Sequence, residues 1–85
     1  MSDYRIISRL NIHGNEEYYI EERVKCFFKY KWVLLDIKKY SQLWGFSFYH
    51  PTLKEAETIL KLYIEQKTKI ENFKPEIHEY NPGDL

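Results

Sequence analysis

The first 28 residues alternate between apolar and polar positions in the way that is typical of two antiparallel strands. Within residues 4–12, one face carries Tyr4, Ile6, Ser8, Leu10 and Ile12. The alternation resumes over residues 17–28, where Tyr18, Ile20, Glu22, Val24, Cys26 and Phe28 share a face. Between them, Gly14 and Asn15 can adopt positive φ, so residues 13–16 are predicted to form the turn. The pattern predicts a long hairpin with one buried and one exposed face.

The pattern after residue 28 predicts two further strands. Residues 29–31 are interpreted as the second turn, although they contain neither glycine nor proline. Residues 32–37 form a predicted third strand, which is apolar on both faces and is therefore expected to be covered on both sides. Residues 38–45 are predicted to be a loop, and residues 45–49 a short fourth strand.

A helix is predicted over about residues 53–68. Thr52 and Glu55 have the spacing of a capping box, in which each side chain accepts from an unpaired backbone N–H group. An apolar stripe with helical spacing then follows, made of Ala56, Ile59, Leu60, Tyr63 and Ile64. Leu62 lies off this stripe and is expected to be exposed.

The predicted fold class is therefore α+β, an antiparallel sheet of three to four strands packed by one C-terminal helix. Residues 1–70 form a single domain, because a chain of 85 residues has room for one core. Residues 71–85 form an extended acidic tail, either frayed or docked on the sheet or a second subunit through Phe73, Ile77 and Tyr80.

Aromatic residues are concentrated in the middle of the chain. They make up 18% of the sequence, and nine of them lie between Phe27 and Tyr49. One face of a small sheet cannot bury so many rings, so some of them must be exposed. Phe28, Val33, Leu35 and either Phe46 or Phe48 are expected to pack under the helix. The rings expected at the surface, among lysines, are Phe27, Tyr30, Trp32 and Trp44.

The charged residues are unevenly distributed along the sequence. The formal net charge is zero, yet residues 23–39 carry six basic residues against Asp36. A neutral domain is a poor candidate for bulk nucleic-acid binding, which depends on neutralising many phosphates. A local basic patch can still bind one small anion, and segregated charge permits self-association, so a homo-oligomer is expected.

Candidate catalytic residues are sparse. His13, His50 and His78 have no carboxylate or cysteine at metal-ligand spacing, and Cys26 alternates with apolar residues as a core residue does. The chain is therefore predicted to be non-enzymatic, with no metal and no cofactor. A single cysteine fits a reducing cytoplasm. The polar start is unlike a secretory signal, and no apolar run is long enough to span a membrane.

The basic and aromatic residues suggest a binding surface. Rings beside cations suit a nucleotide, because the rings stack on the base and the cations neutralise the phosphates. The predicted phosphate-binding residues are Arg23, Lys25, Lys29 and Lys31, and the predicted stacking residues are Phe27, Tyr30, Trp32 and Trp44. The same surface would also suit a protein partner, since aromatic residues and arginine are enriched at interface hot spots. Alternatively the rings are core and the lysines merely solvate the open face.

The order of these motifs resembles a family of small hypothetical proteins of bacteriophage genomes, which have an aromatic β-meander followed by a Thr-Leu-x-Glu-Ala helix. The resemblance covers residues 4–66 and rests on the segments at residues 18–23, 27–32, 44–48 and 51–57. It implies a non-catalytic counter-defence protein in the bacterial host cytoplasm. Such a protein would sequester a nucleotide immune signal in an oligomeric pocket or inhibit a host immune or nucleic-acid enzyme.

Overall fold

A computed structural model describes residues 2–84, so Met1 and Leu85, the ends of the predicted domain and tail, lie outside the described residues. The strands are β1 (Tyr4–Leu10), β2 (Glu16–Cys26), β3 (Lys29–Leu34) and β4 (Tyr49–His50), and one helix follows, α1 (Leu53–Glu71). Short 3-10 helices occupy Ile37–Lys39, Ser41–Leu43 and Pro82–Asp84. The predicted α+β class, with an antiparallel sheet and one helix, is confirmed.

Strand β2 is the centre of the sheet. Its first half pairs with β1 along one edge, with Ile6 opposite Ile20 and Tyr4 opposite Glu22. On the other edge, β3 pairs with its C-terminal part, and β4 places His50 opposite Tyr18. Strands β3 and β4 therefore follow one another along the same edge of β2, and the segment between them must leave the sheet and return.

The first turn lies where the sequence predicts it, although Asn11 organises it. The Oδ1 atom of Asn11 accepts from the backbone N–H groups of His13 at 2.9 Å and Asn15 at 3.0 Å. Gly14 adopts φ of +78°, the left-handed conformation that glycine reaches without steric cost. The Asn side chain and the glycine together fix the register of the first hairpin.

The second turn lies two residues earlier in the sequence than predicted. Strand β2 ends at Cys26 and β3 begins at Lys29, so the turn is Phe27 and Phe28 rather than residues 29–31. Phe27 takes φ of 57°, which is uncommon outside glycine, and the sequence carries no glycine or proline to mark this turn. The third strand accordingly starts earlier than predicted and ends at Leu34.

The shifted turn also overturns two predictions about the core. Phe28 is 99% exposed and Cys26 is exposed, whereas both were expected on the buried face. The reason is that the β2–β3 hairpin continues beyond the part of the sheet that α1 covers. Apolar and polar side chains still alternate along this projecting part of the hairpin, but α1 does not cover it.

The core lies between α1, the sheet and the segment that joins β3 to β4. Its buried apolar residues are Ile20, Leu35, Ile37, Tyr40, Leu43, Ala56, Ile59 and Tyr63. The prediction that Leu35 packs under the helix is confirmed, and Phe48 is partly buried against this cluster, while Val33 is half-buried. Tyr40 and Leu43 were assigned to a loop, but two 3-10 turns bury them.

The helix follows the sequence prediction closely at its start. Thr52 Oγ1 accepts from the backbone N–H of Glu55 at 3.1 Å, which confirms the Thr52 half of the predicted capping box. The buried arc is centred on Ile59 and Tyr63, so Leu60 and Leu62 pack on its two flanks. Leu62 is therefore partly buried, contrary to the prediction, whereas Ile64 is 38% exposed.

The molecule is extended for its length. Its radius of gyration is 18.4 Å, whereas a compact domain of 85 residues would have a radius of gyration of about 12 Å. Both the β2–β3 turn and residues 72–84 are exposed throughout. Within residues 2–84, no helix combines the length and apolar character needed to cross a bilayer.

Candidate functional site

Arginine side chains lie over aromatic rings on the sheet face that α1 does not cover, which we call the open face. The guanidinium carbon of Arg5 lies 4.3 Å from the Trp32 ring centroid, and that of Arg23 lies 4.8 Å from the Tyr30 centroid. Arg9 lies 4.5 Å from the Tyr49 centroid. Strand alternation places these side chains on one face, and cation–π contacts of this kind stabilise it.

The arginines of the open face are also paired with carboxylates. Arg5 Nε lies 2.6 Å from Glu21 Oε1, and Arg23 donates to Asp3 at 3.0 Å. The side chain of Arg23 is only 14% exposed. Carboxylates thus offset the charges of these arginines, so the face is built as a cross-strand network and its arginines offer little free charge to a phosphate.

The structure does not bring the eight predicted binding residues together. Two cross-strand pairs, Arg23 with Trp32 and Lys25 with Tyr30, share the open face. Lys29 and Lys31 alternate to the opposite face of the same hairpin, and Phe27 lies in its turn. Trp44 lies on the joining segment beside α1. The predicted phosphate and stacking residues thus lie on both faces of the β2–β3 hairpin, in its turn and on the joining segment.

Several of these residues lie in the hairpin tip, which we define as residues 25–31. Phe27 is 89% exposed, and a shallow apolar groove of about 470 Å³ is lined by Cys26, Phe27, Phe28, Lys29, Tyr30 and Lys31. Lys25, Lys29 and Lys31 take part in no ion pair with any residue in 2–84. The tip therefore presents exposed rings surrounded by uncompensated positive charge.

A larger cleft lies between the 3-10 segment and the C-terminal half of α1. Its volume is about 520 Å³, and its lining includes Trp44, Phe73, Lys39, Lys69, Gln42 and Gln66. The rings of Trp44 and Phe73 are 64% and 71% exposed. Two accessible rings, two ammonium groups and two amides thus surround one concave site, which is the usual composition of a site for a small polar ligand.

Local hydrogen bonds hold Trp44 in position although it is exposed. Its indole Nε1 donates to the carbonyl of Lys38 at 2.8 Å. Lys38 Nζ donates to the carbonyl oxygens of Trp44 at 2.6 Å and Phe46 at 2.7 Å. Leu43, the residue before Trp44, is fully buried. The ring is therefore presented on a fixed backbone, which reduces the entropy lost when a ligand binds.

The sequence predicts Trp44 as a binding residue but does not predict its partners in the cleft. Lys39 was counted only as part of a basic stretch, and Lys69 lies in the last turn of α1. Phe73 begins the tail, where it was considered a docking residue. A signal existed in the spacing of Lys69 and Phe73, four residues apart, which places them near one another at a helix end.

A second polar cluster joins α1 to the sheet. Lys67 Nζ lies 3.4 Å from the Tyr4 hydroxyl and 3.5 Å from Glu22 Oε1. The hydrogen bond with Tyr4 raises the pKa of Lys67, and burial raises the pKa of Tyr63 to about 12. The Tyr63 hydroxyl therefore stays protonated at neutral pH. The cluster is a structural tie.

His50 is buried in a way that the sequence did not indicate. It is 2% exposed in the short strand β4, and its Nε2 has no hydrogen-bond partner among the described residues. Burial lowers the pKa of the imidazole, and the nearby Glu55 carboxylate opposes this shift only in part. The folded protein therefore holds His50 neutral.

We expect the free energy of unfolding to fall as the pH is lowered from 7.5 to 5. The unfolded chain binds a proton at His50 near the usual histidine pKa of about 6.5, while the folded chain binds it only at lower pH. The stability is thus full above the unfolded pKa and decreases below it. Urea denaturation across this range should show the decrease, and His50→Gln should flatten it.

His13→Gln is the matched control for this experiment, because His13 is exposed in the first turn. This variant should keep the pH dependence of the unmodified protein. If His13→Gln flattened the profile as much as His50→Gln, the buried imidazole would not be the cause.

Comparisons with protein-family models, curated proteins and solved structures give no match to this chain. The resemblance to small bacteriophage proteins therefore stays a prediction. The cleft at Trp44 and the exposed hairpin tip are the two surfaces on which a function can be proposed.

Proposed function

We propose that this chain is a non-enzymatic phage counter-defence protein that sequesters a nucleotide-type immune signal, and that the cleft at Trp44 is the binding site. The observation that carries the proposal is the convergence of Trp44 and Phe73 with Lys39 and Lys69 around about 520 Å³. Within residues 2–84, no histidine, cysteine or carboxylate lines this cleft. Such a lining supports binding without chemical change.

The rings define the first part of the ligand. A nucleobase stacked on an aromatic side chain contributes about 1–3 kcal/mol, and Trp44 and Phe73 offer two accessible rings. Gln42 and Gln66 add amide groups that can both donate to and accept from a base edge. The volume lies within the usual range of small-molecule sites, and it has room for one nucleotide-sized group.

The charges define the second part of the ligand. Lys39 and Lys69 each supply an ammonium group on the rim of the cleft. The C-terminal end of α1 lies beside the cleft and carries partial negative charge, which disfavours an anion close to its carbonyl groups. The phosphates should therefore face the lysines, and two lysines suit a ligand with one or two phosphates.

The proposal moves the site away from most of the residues that the sequence suggested. Trp44 keeps its stacking role, whereas Lys39 and Lys69 replace Arg23, Lys25, Lys29 and Lys31 as the phosphate-binding residues. Arg23 is paired with Asp3, and the three lysines of the tip are divided between two faces of a hairpin. A small phosphate could not contact all four of them.

A melting-temperature screen tests the proposal directly. Cyclic dinucleotides, cyclic oligonucleotides and ADP-ribose derivatives are added to the purified protein, and the ligand is afterwards recovered by denaturation and identified by mass spectrometry. A ligand at 100 times its dissociation constant should stabilise the fold by about 2.7 kcal/mol. The recovered ligand should be intact.

The double charge reversal Lys39→Glu with Lys69→Glu tests the role of the lysines. It leaves both rings in place and should abolish the ligand-induced rise in melting temperature. Recovery of a chemically altered ligand would contradict sequestration and indicate catalysis. If none of the three ligand classes raised the melting temperature, the nucleotide proposal would fail.

A second candidate function is inhibition of a host immune or nucleic-acid enzyme through the basic-aromatic surface. The observation in its favour is the hairpin tip, where Phe27 and Phe28 are almost fully exposed beside lysines that have no ion-pair partner within the described chain. Aromatic anchors with charged surroundings are typical of hot spots. Under this function the host enzyme co-purifies with the protein, and Phe28→Ser abolishes that complex without unfolding the domain.

A further inference from the structure

The tail beyond α1 exposes apolar side chains along its length. Phe73, Ile77 and Tyr80 are 71%, 84% and 63% exposed. Residues 73–81 are extended and assigned to no helix or strand. Between residues 71 and 84, four carboxylates stand against one lysine. The tail is therefore acidic, and its apolar side chains are exposed to solvent in a single copy.

The hairpin tip has the opposite character. Phe27 and Phe28 are 89% and 99% exposed, and the three lysines at positions 25, 29 and 31 have no acidic residue between them. The tip groove is lined by residues 26–31 alone, so no described residue of the tail enters it. One chain thus carries two apolar surfaces of opposite charge that do not meet.

The two surfaces lie at the same end of the molecule. Lys67 of α1 contacts Glu22 and Tyr4, so the turn of the helix before the last one is level with that part of β2. From this level the helix continues into the tail, and β2 continues into the tip. A two-fold axis at this end would place each tail on the other copy's tip, and both contacts would form at once.

We propose that residues 73–80 of one copy bind the hairpin tip of a second copy in a reciprocal two-fold dimer. Ile77 occupies the apolar groove beside Phe27 and Phe28, while Glu76 and Glu79 face Lys29 and Lys31. This contact covers the rings that the isolated chain exposes. The proposal goes beyond the cleft and does not depend on any ligand.

Sedimentation equilibrium of the full chain tests this contact. The unmodified protein should sediment at twice the monomer mass at micromolar concentration. The double reversal Glu76→Lys with Glu79→Lys should raise the dimer dissociation constant at least tenfold, and so should Lys29→Glu with Lys31→Glu. Combining both reversals should restore dimerisation, because the opposite charges then face each other again in exchanged positions.

Matched variants separate this contact from general effects of charge and hydrophobicity. Glu57→Lys with Glu65→Lys makes the same charge change on the exposed side of α1 and should leave the dimer intact. Ile77→Asp should dissociate the dimer, whereas Ile12→Asp, at a residue that is 96% exposed in the first turn, should not.

A protein that stays monomeric at every concentration would overturn the proposal and leave the tip free for a host protein. A combined reversal that failed to restore the dimer would overturn the assigned pairing. None of the exchanged residues lines the cleft, so the ligand-induced melting shift is measured on the same variants. Failure of the dimer and failure of nucleotide binding are therefore observed separately.

Discussion

Replacing Leu43 by alanine should remove a large part of the stability of this domain. Leu43 is 0% exposed and lies in the second 3-10 turn of the joining segment. Large-to-small substitutions at such positions cost about 2–5 kcal/mol, while the whole free energy of unfolding of a domain of this size is about 4–13 kcal/mol. Urea denaturation followed by far-ultraviolet circular dichroism measures the loss.

The control for this prediction is Leu10→Ala. Leu10 is 71% exposed at the end of β1, and surface substitutions of this kind change stability by less than about 0.5 kcal/mol. Because Leu43 precedes Trp44, Leu43→Ala should also weaken ligand binding at the cleft. Equal denaturation midpoints for the two variants would show that the joining segment does not form part of the core.

Elements with local signals were predictable from the sequence. The helix start is encoded by Thr52 and the residues after it, and the first turn by a glycine that takes φ of +78°. Each signal acts over a few residues, so tertiary structure has little opportunity to override it. The second turn has no such signal. Phe27 adopts a left-handed conformation because the pairing of β2 with β3 requires it, and no local preference of phenylalanine indicates this.

The joining segment carried a signal that was missed. Ile37, Tyr40 and Leu43 are buried and lie three residues apart, which is the period of a 3-10 helix. A search for helical or strand periods alone assigns such a stretch to a loop. The three-residue spacing of large apolar residues is the physical signature of a segment that closes a core in two short turns.

The candidate site could be predicted only in part. The excess of rings over available core correctly indicated exposed aromatic residues, and Trp44 and Phe27 are among them. The convergence of Lys39, Lys69 and Phe73 with Trp44 could not be foreseen, because the joining segment and the end of α1 are distant in sequence. Their approach depends on how α1 packs against the 3-10 turns.

Trp44→Ala should weaken nucleotide binding about 5- to 150-fold, since a lost base-stacking contact costs about 1–3 kcal/mol. Trp44→Phe keeps an aromatic face in the same place and should retain most of the affinity. The indole also donates to the Lys38 carbonyl at 2.8 Å. The phenylalanine variant loses this hydrogen bond but keeps the aromatic face. Its remaining loss of affinity therefore measures how much the hydrogen bond contributes by holding the ring in position.

The measurement uses the cyclic dinucleotide with the largest melting shift, titrated by calorimetry. Trp32→Phe is the matched control, because Trp32 lies on the open face under Arg5 and should not contact the ligand. This variant also leaves Trp44 as the single tryptophan, so quenching of its fluorescence reports on the cleft alone. Unquenched fluorescence in that variant, or unchanged affinity in Trp44→Ala, would place the ligand elsewhere. Phe73→Ala should weaken binding as well, because a base held between two rings loses one stacked face with either substitution.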